Sequence, residues 1–327
     1  MIKYCIFSIS VLFLMAGCSK NDDIEPLFSS VDTLSQSENW HVGTGLPAGK
    51  VVSDLYYFDN TFYASLYDQG IYRSTDNGST WQKFGKGLPS TYYSGIAISA
   101  TVSILATMDG VYRSEDKGEN WSKTDNPMKS NDTALEIYFD ESRIFTCSQN
   151  AGSLKKPLYI STDQGITWQS ASEGLPTSGL AQSIKRKGEN LFLISDNKIF
   201  KSTNGTSWEN VSNNISASLL YDLEVDDQYI YAVGNTINRS EDGIAWEKLS
   251  NGIDKMVQAR TITKAKGNLI ISGKYVYASA DQGNSWYEIT GDLINTNFVQ
   301  ASAANESYLL LGLTSHPSAA TVWQRKL

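Results

Sequence analysis

Short apolar and aromatic segments alternate with polar, glycine-containing turns over most of the chain. Segments such as 70–73 and 110–113 have the length and composition of strands, and this pattern predicts many short β-strands. Tryptophan recurs at nearly even spacing, at residues 40, 81, 121, 168, 208, 246 and 286. The chain therefore contains an internal repeat with a period of about 41 residues.

Six of these tryptophans end a recurring phrase. Four copies read Ser-x-Asp-x-Gly-x-x-Trp, at residues 74–81, 114–121, 161–168 and 279–286. The copies at 202–208 and 240–246 are one residue shorter, and the first of these has Asn204 in place of the aspartate. The phrase predicts a tight hairpin turn in which the aspartate accepts hydrogen bonds from backbone N–H groups and the glycine adopts a positive φ. The tryptophan opens the next strand and packs its ring against the sheet.

The phrase resembles the Asp-box, or BNR, repeat Ser-x-Asp-x-Gly-x-Thr-Trp, which is found in β-propellers. Four short strands in about 41 residues make one propeller blade. Six blades carry the phrase between their third and fourth strands, and residues 292–327 supply three more strands. Residues 39–42 supply the missing fourth strand, so the two ends of the chain close a seventh blade and leave no open sheet edge. The predicted fold is an all-β, seven-bladed β-propeller over residues 39–327.

Propellers with this repeat include the photosystem II stability and assembly factors, the sortilin luminal domain, sialidases and xyloglucanases. The chain is similar in size to the assembly factors, which form one seven-bladed domain behind a leader. In these families the repeat lies on the face opposite the ligand. The resemblance therefore implies a structural role for the repeat aspartates, which are Asp76, Asp116, Asp163, Asp242 and Asp281.

We expect ligand-binding side chains on the other face, around the mouth of the central channel. Aligning the repeats places eight candidates for ligand or partner binding there: Asp54, Tyr92, Tyr93, Gln182, Tyr221, Asp222, Arg260 and Gln300. The segments 149–157 and 314–320 interrupt the repeat on this face, and long loops on a rigid scaffold are common binding sites. These features predict a noncatalytic protein that binds a protein or glycan partner at the channel mouth.

A glycoside hydrolase is the alternative function. Sialidase chemistry needs three arginines converging on the substrate, but only Arg260 is placed at the mouth, whereas the arginines beside the repeat turns lie on the other face. A hydrolase of another kind, such as a xyloglucanase, needs two carboxylates about 5–10 Å apart. Asp54 and Asp222 are candidates, but the sequence does not give their separation. We therefore assign no catalytic residue.

The start of the chain resembles a bacterial lipoprotein signal. A basic residue and an apolar run too short to span a bilayer precede the lipobox-like phrase Met-Ala-Gly-Cys, which ends at Cys18. This predicts removal of residues 1–17 and lipidation of Cys18, which would anchor the protein to a membrane. Residues 18–38 form a polar tether, and 19–23 resemble a Bacteroidetes signal that exports lipoproteins to the outer face of the outer membrane. We therefore expect a surface-exposed outer-membrane lipoprotein.

Composition narrows the remaining chemistry. With 41% hydrophobic residues the chain can bury a full core, and a net charge of −8 without a basic run argues against nucleic-acid binding. In the predicted mature protein Cys147 is the one free thiol, and its apolar surroundings are typical of a buried cysteine. His41 and His316 have no Cys or His at ligand spacing. The sequence therefore predicts no His-based triad, no metal site and no cofactor.

Overall fold

The computed structural model describes residues 33–36, 38–89, 92–124, 132–150, 158–177, 180–255, 258–295, 298–314 and 322–327. The predicted signal peptide, Cys18 and most of the predicted tether lie outside the described residues. Most of the two segments that interrupt the repeat, 149–157 and 314–320, also lies outside them. In the described part of the chain, no helix has the length and hydrophobicity needed to cross a membrane.

The described strands form seven antiparallel sheets of four strands, as predicted. Blade 1 consists of β2 Val52–Phe58, β3 Thr61–Leu66, β4 Gly70–Ser74 and β5 Gln82–Phe84. Blade 2 consists of β6 Tyr93–Ile98, β7 Ser103–Thr107, β8 Gly110–Ser114 and β9 Ser122–Lys123. Blade 3 consists of β10 Asp132–Asp140, β11 Arg143–Asn150, β12 Leu158–Ser161 and β13 Gln169–Ser170. Blade 4 consists of β14 Ala181–Lys187, β15 Asn190–Ser195, β16 Lys198–Ser202 and β17 Glu209–Asn210. Blade 5 consists of β18 Leu220–Val225, β19 Ile230–Gly234, β20 Ile237–Ser240 and β21 Glu247–Leu249. Blade 6 consists of β22 Thr261–Ala265, β23 Asn268–Ser272, β24 Val276–Ser279 and β25 Tyr287–Glu288. A 3₁₀ helix, Gly291–Asn295, leads into blade 7, which consists of β26 Val299–Ala304, β27 Tyr308–Leu313, β28 Val322–Lys326 and β1 His41–Val42. The first strands of successive blades contact one another around the ring, and β26 contacts β2. The fold is the predicted seven-bladed β-propeller.

The N-terminal strand closes blade 7, also as predicted. His41 pairs with Gln324 and Val42 with Trp323. Because this ladder is only two residues long, contacts upstream of it matter for closure. Trp40 is buried and its indole N–H donates to the Ile289 carbonyl over 3.1 Å.

The core lies between the blades. Seven hydrophobic clusters occur among the described residues, and each joins two neighbouring blades. Val52 and Leu66 of blade 1, for example, pack with Leu310 and Val322 of blade 7. Fully burying one such side chain contributes about 1.5–3 kcal/mol. Cys147 belongs to the cluster between blades 3 and 4 and is buried, as predicted.

The six repeat turns, which connect the third and fourth strands of blades 1 to 6, have the hydrogen bonds predicted for them. In blade 3, Asp163 accepts bonds from the Ser161 hydroxyl (2.8 Å) and from the Thr167 N–H (2.9 Å). The Gly165 N–H donates to the same serine hydroxyl, and Gly165 has φ +81°. The Trp168 indole closes the turn on the Gly165 carbonyl at 3.2 Å. Equivalent aspartate bonds occur at Asp76, Asp116, Asp242 and Asp281.

Arginines beside the repeat turns are used to join blades. Arg113 of blade 2 donates to the Gln164 carbonyl in the repeat turn of blade 3 (2.7 Å), and Arg239 of blade 5 donates to Gln282 in that of blade 6 (2.7 Å). These side chains lie at the end of the blades opposite the channel mouth, as the sequence predicted, where they stabilise the ring.

Candidate binding site at the channel mouth

A cavity of about 890 Å³ occupies the centre of the ring. Residues from all seven blades line it, most of them from the first, innermost strand of each blade. Because side chains alternate between the two faces of a strand, residues two apart face the same way. The lining accordingly contains pairs at this spacing: Asp54 and Tyr56, Glu136 and Tyr138, Ser183 and Lys185, Asp222 and Glu224, Thr261 and Thr263, and Gln300 and Ser302.

Carboxyl groups in blades 1, 3 and 5 each bind the inner strand of the next blade. Asp54 Oδ2 accepts the Ile96 N–H over 2.9 Å, and Asp222 Oδ2 accepts the Ile262 N–H over 2.9 Å. Glu136 likewise accepts the backbone N–H of Ser183. These bonds fix the carboxyl groups at defined positions on the channel wall.

The channel disfavours the charged forms of these acids. Burial raises the pKa of Asp54 and that of Glu136 to about 7, although backbone hydrogen bonds and the nearby Lys185 ammonium act in the opposite direction. Burial also raises the pKa of Asp222 and Glu224. Four acids thus share a confined space in which positive charge is scarce.

Lys185 is the cation of this inner wall. Burial would lower its pKa, but Asp222, Glu224 and Glu136 together raise the pKa above its ordinary value. Its Nζ lies 5.9 Å from the centroid of the Tyr138 ring, and within the described structure it forms no ion pair or hydrogen bond. Among the described residues, no group of three or more His, Cys, Asp or Glu could hold a metal ion.

Exposed apolar side chains lie on the face of the ring where the innermost strands begin, and two of them, Tyr67 and Leu180, line the cavity. They project from the second-to-third-strand turns and from the connections between blades, and we call them the rim: Tyr67, Tyr92, Met108, Leu180 and Leu219. The rings of Tyr67 and Tyr92 stack with centroids 4.1 Å apart, yet both residues remain at least 40% exposed. The Arg260 guanidinium covers the Tyr221 ring at 4.3 Å. The mouth thus combines apolar, aromatic and charged groups above an acidic channel.

Seven of the eight candidates from the sequence line the cavity: Asp54, Tyr93, Gln182, Tyr221, Asp222, Arg260 and Gln300. Tyr92, the eighth, lies on the rim. Tyr93 is buried and donates its hydroxyl to the Pro89 carbonyl.

Sequence reasoning missed Glu136, Lys185 and Glu224. The signal for them was present, because Glu136 falls at the strand position of Asp54 and Asp222, just before the first buried residue after the strand's bulge. Lys185 and Glu224 lie two residues farther along their strands than Ser183 and Asp222.

Solved structures of other propellers resemble this one. YCF48 from Cyanidioschyzon merolae superimposes with a TM-score of 0.66 and 14% identity, over 88% of this chain and 98% of that one. YCF48 bound to D1 peptide gives a TM-score of 0.68 and 14% identity, over 89% and 95% of the two chains. The Niastella koreensis GH74 enzyme gives 0.64 and 17% identity, over 85% of this chain but only 43% of that one. At these identities the likeness shows the fold alone.

Comparison of the sequence with family models identifies the family. No curated protein matches the chain. The model described as "Sortilin, neurotensin receptor 3" matches residues 69–239, which is more than half of the 327 residues. The chain therefore belongs to the Sortilin-Vps10 family.

Proposed function

We propose that this propeller is a noncatalytic binding protein that captures an exposed segment of a protein partner at the channel mouth. The observation that carries the proposal is the rim. Eight large hydrophobic side chains are notably exposed in the described structure, and five of them form the rim. Apolar side chains gathered on one face of a soluble domain are typical of interaction sites, because leaving them in water costs free energy that a partner would recover.

The shape beneath the rim supports binding of an extended segment rather than a flat surface. The cavity of about 890 Å³ is large enough for several side chains, and Tyr67 and Leu180 of the rim line it. Its walls are built on strands, so little ordering is needed before a segment binds. A YCF48 propeller of the same fold has been solved bound to a peptide, which supports this mode for the present chain.

The exposed tyrosine rings leave a glycan as the other class of partner, since aromatic faces also stack on sugars. Met108, Leu180 and Leu219 favour a protein, because aliphatic side chains give a sugar hydroxyl no hydrogen-bonding partner. Binding assays with the two classes separate these alternatives.

The proposal includes the membrane anchor expected at Cys18. Trp40 directly precedes the fourth strand of blade 7, as Trp81 of the repeat phrase precedes the fourth strand of blade 1. The described residues just before Trp40 therefore approach the ring on the side of the repeat turns. Leu34 is held there by the Tyr287 hydroxyl, which accepts its N–H over 2.7 Å. An anchor at Cys18 would place the protein at the outer membrane, where the mouth could meet partners outside the cell.

The test is affinity capture of the native protein with a matched surface control. In the rim variant, Tyr92→Ala and Leu219→Ser are combined, and in the control variant Ile166→Ser and Ile244→Ser remove two exposed apolar side chains from the repeat turns. A partner that copurifies with the wild type and the control, but at least about tenfold less with the rim variant, supports the proposal. The purified partner must then also bind the rim variant more weakly than the wild type and the control variant. A partner lost from the control and kept by the rim variant would contradict it.

A glycoside hydrolase is a second candidate, favoured by one observation. Asp54 and Glu136 line the same cavity, and each has a pKa near neutrality, as a general acid requires. Xyloglucan oligosaccharides and sialyllactose are suitable substrates. Release of product by the wild type that Asp54→Asn abolishes, with Glu209→Gln unaffected, would replace the binding proposal with this one.

A further inference from the structure

We propose that the channel beneath the rim accepts a cationic side chain, a lysine or an arginine, from the polypeptide segment that docks at the mouth. This inference rests on the proposed binding function and names the chemistry of its partner. It follows from the imbalance of charge on the channel wall together with polar groups there that have no partner.

The charges on the wall are unequal in number. Asp54, Glu136, Asp222 and Glu224 line the cavity, whereas the cations that line it are, among the described residues, Lys185 and Arg260. Lys185 forms no ion pair or hydrogen bond with any of the four acids in the described structure, although its charge acts to lower the pKa of all of them. Arg260 lies at the mouth and is stacked on Tyr221. A second cation inside the channel would have acceptors on several blades.

An unpartnered hydroxyl marks the same space. Thr261 is only 7% exposed and lines the cavity, but its Oγ1 has no hydrogen-bond partner. It neighbours Ile262, whose N–H binds Asp222. The Ser53 hydroxyl, next to Asp54 in the lining, is also without a partner. Buried hydroxyls without partners are costly, and an ammonium or guanidinium offers the donors that would satisfy them.

The same wall disfavours a carboxylate. An anionic group would approach four acids in a confined space that hydrates charge poorly, where repulsion between like charges is strong. A cation has the opposite effect: it favours the ionised acids and displaces the protons that Asp54 and Glu136 retain near neutral pH. Binding of the cation is therefore coupled to proton release.

Three capped heptapeptides test the inference by titration calorimetry with the full-length protein. Each carries a central residue between two leucines, and that residue is lysine, norleucine or glutamate. We expect the lysine peptide to bind at least about tenfold more tightly than the norleucine peptide at about pH 7.5. Binding of the lysine peptide to the wild-type protein should release protons, which is measured from the change in observed binding enthalpy between buffers of different ionisation enthalpy. The advantage of the lysine peptide should shrink as the pH falls toward about 6, where Asp54 and Glu136 are mostly protonated.

Paired variants assign the effect to the channel. Asp54→Asn with Asp222→Asn keeps acceptors for the Ile96 and Ile262 N–H groups and should abolish the preference for lysine. Glu209→Gln with Glu241→Gln changes the net charge equally at exposed positions and should retain the preference. Equal affinity for lysine and norleucine, tighter binding of glutamate, or no measurable binding of the lysine peptide would each overturn the inference. The proposed function is judged separately, by whether the natural partner depends on the rim.

Discussion

Carboxyl groups at the two ends of the blades differ in surroundings and in purpose. Asp242, in a repeat turn, is exposed and accepts hydrogen bonds from the Ser240 hydroxyl and from the backbone N–H groups of Ala245 and Ile244. The two backbone hydrogen bonds hold the pKa of Asp242 below its ordinary value. Asp54, in the channel, is half-buried and its pKa is raised to about 7. Blades 1 to 6 use the same turn, so an aspartate, or an asparagine in blade 4, recurs in each of them. The channel acids occupy only some blades, and therefore the ring does not require them.

This contrast indicates where functional information lies in a repeat protein. Residues that recur at the same position of each repeat form the scaffold, whereas residues found in only some blades are candidates for the function of this particular protein. Blades 2, 4 and 6 close onto their neighbours without a carboxyl group at the position of Asp54. The acids of blades 1, 3 and 5 are therefore candidates for binding as well as for holding blades together.

The largest expected effect concerns the channel acids and pH. The folded-state pKa of about 7 for Asp54 and Glu136 lies above their ordinary values of 3.8 and 4.5. The folded protein therefore binds more protons than the unfolded chain between about pH 4 and 7, and the free energy of unfolding must fall as pH rises through this window. Combining Asp54→Asn with Glu136→Gln removes both groups and should abolish most of this dependence, which amounts to several kcal/mol. Urea denaturation across the window measures it.

Asp242→Asn is the matched control for the pH experiment, because its lowered pKa places its titration below the window. Its unfolding profile should run parallel to that of the wild type above about pH 5. If the free energy of unfolding of the wild type did not change between about pH 4 and 7, the channel acids would not differ in pKa from the repeat-turn aspartates in the way described above.

The next effect tests how tightly the repeat turns pack. Gly243 has φ +75°, and a Cβ there would lie 2.1 Å from the Phe192 ring of the preceding blade. Gly243→Ala should therefore cost about 3 kcal/mol, from a strained backbone and an overpacked contact. Gly188→Ala is the control, since Gly188 has φ +57° with open space around it and should cost only about 1 kcal/mol. Equal losses in denaturation experiments would show that the turns are not packed rigidly between blades.

The sequence predicted the scaffold more completely than the candidate site, for a physical reason. The repeat turns are local structures. The hydrogen bonds of the serine and the aspartate that shape them lie within the phrase itself, as from Ser161 to Thr167, so the phrase predicts them. Closure of blade 7 could be predicted by counting strands. The channel wall depends instead on which residues of seven distant strands converge, and on a bulge that shifts the register between Val52 and Asp54. Alignment of loop ends therefore found Asp54 and Asp222 but missed Glu136.

The smallest effect separates charge from hydrogen bonding in the repeat turns. In blade 4, Asn204 performs the role of the aspartate, and its Oδ1 accepts the N–H groups of Thr206 and Ser207 over 2.9 Å each. Asp242→Asn should consequently change the free energy of unfolding at neutral pH by no more than about 0.5 kcal/mol, whereas Asp242→Ala leaves those donors without their acceptor and should cost about 2 kcal/mol.

Urea denaturation at neutral pH measures these differences, and the same experiment below about pH 4 tests how the charge of Asp242 contributes to stability. Because the pKa of Asp242 is lowered in the folded protein, its ionised form contributes stability above the ordinary pKa, and this contribution is lost as pH falls through the folded-state value. Asp242→Asn should therefore lose less stability than the wild type on acidification below about pH 4. If Asn and Ala variants were equally destabilised at neutral pH, the negative charge itself would be what the turn requires. The role of the turn aspartates would then depend on their charge as well as on their hydrogen bonds, and hydrogen bonding alone would not explain why they recur in the scaffold.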